Sequence, residues 1–132
     1  MTDNKQSELS ISIQAKINTI RVHKNVIRAL NNPEYICLRV NEDMSSIAIL
    51  PCESSDLMSF RVPEGLLEKQ RAEMRIFSKS FIQTVLSRNG LETEATYSLY
   101  GKYLEGSNAI IFSFSDDDII KRETLDMSQS LS

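Results

Sequence analysis

The sequence predicts an α+β fold: two βαββ pseudo-repeats in one domain, with antiparallel hairpins and short helices. Three observations predict this class. Apolar and polar residues alternate as in half-buried strands, the period then changes to that of a helix, and this order of elements occurs twice. With 132 residues and 41% hydrophobic content, the chain suits one modest core and has no room for two independent ones.

The first predicted unit covers about residues 9–62. Residues 9–15 alternate between apolar and polar side chains and predict an amphipathic strand. Ile20 and Val22 mark a second strand, and the apolar positions of residues 26–30 share one face of a short helix. A hairpin is predicted over residues 35–50, because two apolar runs flank a polar turn. A further short strand follows before residue 62.

The second predicted unit covers about residues 73–114 and has the same order of elements. Placing Lys24 on Lys79 superimposes the apolar faces of the two helices, and placing Tyr35 on Tyr97 superimposes the two hairpins. A single insertion in the polar segment 88–95 reconciles the two alignments, since a surface loop absorbs extra residues readily. The second hairpin is therefore predicted over residues 96–114.

The pseudo-repeat also predicts which residues form the core. Positions that superimpose in the two units and are apolar in both should face the interior of the domain. The six core positions predicted in this way are Ile27, Leu38, Ile49, Ile82, Leu99 and Ile111.

Two polar tails are expected to flank the domain. Residues 1–8 and most of residues 115–132 are predicted to be disordered, with Ile119, Ile120 and Leu125 able to form a marginal helix. The tails hold 3 Lys and Arg against 7 Asp and Glu, whereas residues 9–114 hold 12 against 11. A near-neutral body beside an acidic tail permits nucleic-acid binding by a local basic face without indicating it strongly.

Residues with catalytic or metal-binding chemistry are few. The single histidine, His23, has no partner residues at the spacing of a catalytic or metal site. Cys37 and Cys52 are too few for a disulfide scaffold and are interpreted as small apolar residues on the strands of the first hairpin. The sequence therefore predicts a non-enzymatic protein with no cofactor and no metal.

Basic residues recur at corresponding places in the two units. Each group surrounds a corner where a strand enters a helix, so that two cationic patches could straddle the phosphates of duplex DNA. The alternative is that these residues simply solvate the exposed faces of the two helices. The predicted nucleic-acid-binding residues are Arg21, Lys24 and Arg28 at the first corner, and Arg75, Lys79 and Arg88 at the second.

The stretch IRVHKNVIRALNNPEYICLRVNEDMSSIAILP resembles the swapped-hairpin unit of the AbrB and MraZ families, in which a strand, a short helix and a β-hairpin follow one another. MRIFSKSFIQTVL, followed by YSLYGKYL and NAIIFSF, resembles a second copy, as in the tandem arrangement of MraZ. The two consecutive units also resemble one domain of a DNA sliding clamp. Both resemblances imply action on DNA.

The expected function is that of a small cytoplasmic DNA-associated regulatory or accessory protein of bacterial or phage type, such as a transcription regulator. The alternative is a protein-binding adaptor or inhibitor that uses a sheet edge or the acidic tail. A homo-oligomer is expected, because an unpaired edge strand such as residues 9–15 would favour a dimer, whereas a monomer would suffice if the two halves swapped hairpins internally. No apolar run approaches the roughly 20 residues of a membrane helix, and no signal peptide is recognised at the N-terminus.

Overall fold

The computed structural model describes residues 8–68, 73–115 and 118–122, and 44% of these residues lie in strands. Two α-helices, α1 (Lys24–Ala29) and α2 (Lys79–Arg88), and two single 3-10 turns, Ala15–Ile17 and Leu66–Glu68, accompany the strands. The strands are β1 (Ser10–Gln14), β2 (Thr19–His23), β3 (Tyr35–Val40), β4 (Ser46–Pro51), β5 (Ser59–Arg61), β6 (Glu73–Phe77), β7 (Thr96–Leu104), β8 (Ala109–Ser113) and β9 (Ile119–Arg122).

The first eight strands form a nearly closed antiparallel barrel in the order β5-β3-β4-β8-β7-β1-β2-β6. β7 connects the two halves of this barrel. Its residues 96–100 pair with β1, and its residues 101–104 pair with β8. Gly101 of β7 lies opposite Phe112 of β8, and a Cβ atom at position 101 would come within 2.6 Å of the Phe112 ring. Glycine is required at this point because the ring occupies the space of a side chain.

The predicted α+β class is wrong, although most of the predicted elements exist. Strands from the two halves of the chain pair with each other, as β1 with β7, β2 with β6, and β4 with β8. The two hairpins are thus neighbours in one barrel. The chain does not form two βαββ units whose sheets are covered by short helices. Periodicity identifies a strand and its buried face, but it does not identify the distant strand that satisfies its backbone hydrogen bonds.

The interior of the barrel is aliphatic, and five of the six predicted core residues are buried there. Ile111 is the exception, because it is only half-buried. Its neighbours Ile110 and Phe112 point inward and are fully buried, so the alternation of the strand turns Ile111 outward, opposite Ala48. The error is one of register, since a shift of one residue exchanges the two faces of a strand.

Cys37 and Cys52 form a disulfide, so their interpretation as separate apolar residues is wrong. Cys37 lies in β3 and Cys52 follows β4, with their Cα atoms 6.0 Å apart. The bond ties the segment between β4 and β5 to β3 and closes a loop of 15 residues. A cross-link that closes a loop of that length lowers the entropy of the unfolded chain and thereby stabilises the folded state by about 3 kcal/mol.

The ends of the barrel differ from the prediction at two places. Residues 119–122, expected in the acidic tail and partly as a helix, form β9, which pairs with residues 96–99 of β7. β1, expected to be a possible edge, lies between β2 and β7. The described residues do not include 1–7 or 123–132, and the predicted helix position Leu125 lies in the second of these ranges. None of the helices described here is long and apolar enough to cross a membrane.

The difference between Ile27 and Ile111 predicts unequal effects of truncation. Ile27→Ala should lower the free energy of unfolding by about 2–5 kcal/mol, because it leaves a cavity at a site with no solvent access. Ile111→Ala removes the same atoms from a half-buried position and should lower the free energy of unfolding clearly less. Urea denaturation of both variants measures this, and equal losses would contradict the observed register of β8.

Candidate functional site

The polar residues of five adjacent strands form one outer face of the barrel. β6, β2, β1, β7 and β9 lie side by side, and their outward residues form continuous rows. One row contains Ile120, Ser98, Ser12, Arg21 and Arg75, each directly opposite the next. Ile11 and Ile13 of β1 point into the core instead, so the alternation of that strand determines which of its side chains reach this face.

A groove of about 220 Å³ lies on this face. Its walls combine cationic side chains, hydroxyl groups and one carboxylate, which is a set of groups suited to binding an anion. The polar residues that line it are Ser10, Ser12, Arg21, His23, Glu73, Ser98, Tyr100 and Arg122.

Two arginines meet beside the groove, and one of them, Arg21, belongs to its lining. Arg21 and Arg75 are directly opposite on β2 and β6, where like charges repel each other. Glu73 reduces this repulsion, since its Oε2 accepts a hydrogen bond from Arg21 Nε at 2.5 Å and from Arg75 Nη2 at 3.5 Å. The hydrogen bond from Arg21 is the largest reason why the pKa of Glu73 lies below its ordinary value of 4.5. The carboxylate therefore stays charged and holds the pair together.

A third arginine lies at the opposite wall. Arg122 of β9 donates from Nε to Ser98 Oγ at 2.9 Å and from Nη2 to Tyr100 Oη at 3.4 Å. These contacts draw its guanidinium over β7. Since only β1 separates β7 from β2, two strand spacings place this charge about 10 Å from β2. Ser10 and Ser12 of β1 lie between the two charged walls.

His23 borders the same groove and is the residue before helix α1. Its Nδ1 accepts a hydrogen bond from the backbone N–H of Asn25 at 3.0 Å and thereby caps the helix. An accepting Nδ1 means that the neutral ring carries its proton on Nε2. His23 thus supplies one further N–H donor at this end of the face.

The structure brings only part of the predicted basic set together. Arg21 and Arg75 share the outer face, instead of belonging to two equivalent patches. The other four residues lie on the helices. Lys24 begins α1, Arg28 lies in its last turn, Lys79 begins α2, and Arg88 ends it.

Sequence reasoning missed Arg122 and the serines of the groove. Arg122 falls in the acidic segment 115–132, which the sequence predicts to be mostly disordered, because the acidic residues before it obscure the short strand Ile119–Arg122. Ser10 and Ser12 were correctly placed on the polar side of a strand. Their pattern contained no signal that β7 would flank them, because a strand partner far away in the sequence leaves no periodic trace.

A second groove, of about 240 Å³, is mostly apolar and lies beside helix α2. Val40, Met44, Met58, Phe81 and Val85 supply its apolar lining, and Ser78, Ser80 and Thr84 complete it. It contains no ionisable group and therefore offers an apolar contact surface rather than a site for acid–base chemistry.

Comparison of the chain with families of related proteins, with curated proteins and with solved structures finds no match. The resemblances to the AbrB and MraZ families and to a sliding clamp therefore stay predictions.

The contacts of Glu73 predict a specific dependence of stability on pH. Because its pKa is lower in the folded than in the unfolded state, Glu73 stabilises the fold fully above pH 4.5, and this contribution is lost as pH falls through the folded pKa. Urea denaturation of the wild type and of Glu73→Gln should therefore show a stability difference that shrinks on acidification from pH 6. If the difference in unfolding free energy between the two proteins did not change with pH, the contacts with Arg21 and Arg75 would contribute nothing to stability.

Proposed function

We propose that this protein is a small, non-enzymatic, DNA-associated regulatory or accessory protein. In this proposal the outer face that carries Arg21, Arg75 and Arg122 contacts the phosphate backbone. The observation that carries the proposal is that Arg21 and Arg122 line a groove together with hydroxyl groups. Arg75 lies directly opposite Arg21 on the same face. Arginine and serine side chains are frequent donors to phosphate oxygens.

The charge of the face favours an anionic partner. Three arginines and one glutamate give it a balance of +2, whereas the whole chain has a net charge of −3. Glu73 occupies Nε of Arg21, and a phosphate would use the terminal nitrogens, which form the planar fork suited to such oxygens. The binding surface of this proposal is a sheet face, and the strand-helix corners that the sequence suggested contribute only Arg21 and Arg75 to it.

A specific observation also favours the alternative, a protein-binding adaptor or inhibitor. β6 pairs with β2 on one side, and no described strand pairs with its other side. Phe77, at the end of β6, is 69% exposed. An open strand edge beside an exposed aromatic residue suits an extended peptide that would add a strand to the sheet.

Two further parts of the proposal concern location and assembly. We propose a cytoplasmic protein that forms homo-oligomers through the open edges of β5 and β6, which replace β1 as the candidate edges. The Cys37–Cys52 disulfide bears on location, because most cytoplasmic compartments keep thiols reduced. A cytoplasmic location therefore implies that this pair exists partly as free thiols.

The DNA proposal predicts a measurable salt dependence. The logarithm of the association constant for a mixed-sequence duplex should fall linearly with the logarithm of salt concentration. Each lost phosphate contact should reduce the steepness of that line by about 0.9. Arg75→Ala and Arg122→Ala should each weaken binding and flatten the slope, as measured by fluorescence anisotropy. Arg61→Ala is the matched control, since the Arg61 side chain is 54% exposed, close to the 58% of Arg75, but lies on β5.

Two results would contradict the DNA proposal. One is the absence of duplex binding at low salt, and the other is an equal loss of affinity in Arg61→Ala and Arg75→Ala. A protein partner that binds the wild type and no longer binds Phe77→Ala, together with no duplex binding, would favour the alternative.

A further inference from the structure

The segment between β4 and β5 carries a cluster of potential metal ligands, and none of the ligand residues lines the groove that contains Arg21 and Arg122. The Sγ atoms of Cys37 and Cys52 and a carboxylate oxygen of Asp56 all lie within 4.8 Å of one another. Cys37 belongs to the outward-facing side of β3, because its neighbours Ile36 and Leu38 are the residues that point into the core. The cluster thus lies at the surface of the barrel, under the segment 52–58.

Hydrogen bonds position this segment independently of the disulfide. The backbone N–H of Cys52 donates to Tyr35 O at 3.1 Å, and Arg39 Nη1 donates to Leu57 O at 2.8 Å. Both ends of the segment are therefore attached to β3. Breaking the sulfur–sulfur bond would leave the two cysteine side chains near each other.

The carboxylate of Asp56 is also held in place. Its Oδ2 accepts a hydrogen bond from the backbone N–H of Glu53 at 2.8 Å, and the Asp56 N–H donates to Glu53 O at 3.0 Å. This turn keeps the Asp56 carboxylate close to the two sulfurs. Two thiolates and a carboxylate are ligands that Zn²⁺ accepts in a tetrahedral site, with water as the fourth ligand.

We propose that reduction of the Cys37–Cys52 disulfide creates a Zn²⁺ site formed by Cys37, Cys52 and Asp56. The proposal is independent of DNA binding. The disulfide and the metal site are alternative states of the same two sulfurs, so that the oxidised protein cannot bind the ion through them.

The reductant is a dithiol. Its first thiolate attacks the Sγ of Cys52, the more exposed of the two residues, and forms a mixed disulfide while the sulfur–sulfur bond breaks and Cys37 leaves as a thiolate. The second thiol of the reductant then displaces Cys52, and the dithiol becomes a cyclic disulfide. Two electrons pass to the cysteine pair. Zn²⁺ binds both cysteines as thiolates, and any protons on them pass to solvent.

The required movement is small. Zn–S bonds of about 2.3 Å in a tetrahedral arrangement separate two sulfurs by about 3.8 Å. Cys37 is buried in a strand paired on both sides, whereas Cys52 is half-buried and follows the last residue of β4. Rotation of the Cys52 side chain can therefore make room, and the exposed Asp56 lies on the side from which an ion would enter.

The test is Zn²⁺ binding by the full chain after reduction with a phosphine and removal of the reductant without oxygen. Competition with a chromophoric chelator should show one ion bound per chain in the reduced protein and none in the oxidised protein. Asp56→Asn should weaken binding more than about tenfold, since it removes a ligand. Glu53→Gln is the matched control, because it removes the same charge from the same turn and keeps the backbone groups that hold Asp56. It should bind as the wild type does.

Co²⁺ in place of Zn²⁺ supplies a second readout. Thiolate-to-metal charge-transfer bands should appear in the reduced wild type and be absent in Cys52→Ser, with circular dichroism confirming that each variant is folded. The proposal would be overturned if the reduced wild type binds no ion, if Asp56→Asn binds as tightly as the wild type, or if the oxidised protein binds equally well.

Discussion

The close approach of β7 and β8 at Gly101 is the constraint on which the rest of the structure depends. Phe112 is fully buried, and its ring fills the space that a side chain at position 101 would need. Because the strands meet there without a side chain between them, β7 can pair with β8 beyond Gly101 and with β1 before it. One long strand thus joins both halves of the barrel and fixes the register of each.

The arginine face is a consequence of that register. Pairing of β1 with β7 places Ser12 opposite Ser98, and β9 adds Arg122 along the other side of β7. Pairing of β2 with β6 then brings Arg21 opposite Arg75. Two cations on adjacent strands are unfavourable by themselves, and Glu73 offsets this cost while leaving a net positive surface. In the DNA proposal, this net positive surface is what a phosphate would contact.

Local features of the chain were predictable from sequence, and its long-range pairings were not. Alternation located the strands, and the change of period located helices that begin at Lys24 and Lys79. Apolar spacing identified five buried core residues. The nearly closed barrel, the pairing of Ser12 with Ser98 and the position of Arg122 depend on contacts between strands that are not consecutive in the chain. Hydrophobic period carries no information about those contacts. The Cys37–Cys52 bond was missed for a similar reason, since spacing alone does not show that two cysteines meet.

The most direct test of the arginine face is a map of the residues that respond to DNA. Amide chemical shifts of the full chain should be followed by NMR during titration with a short duplex at low salt. The largest changes should occur at Ser12, Arg21, Arg75, Ser98 and Arg122, and they should reverse when salt is added. Changes confined to the helices, or to the groove that contains Met44 and Phe81, would contradict it.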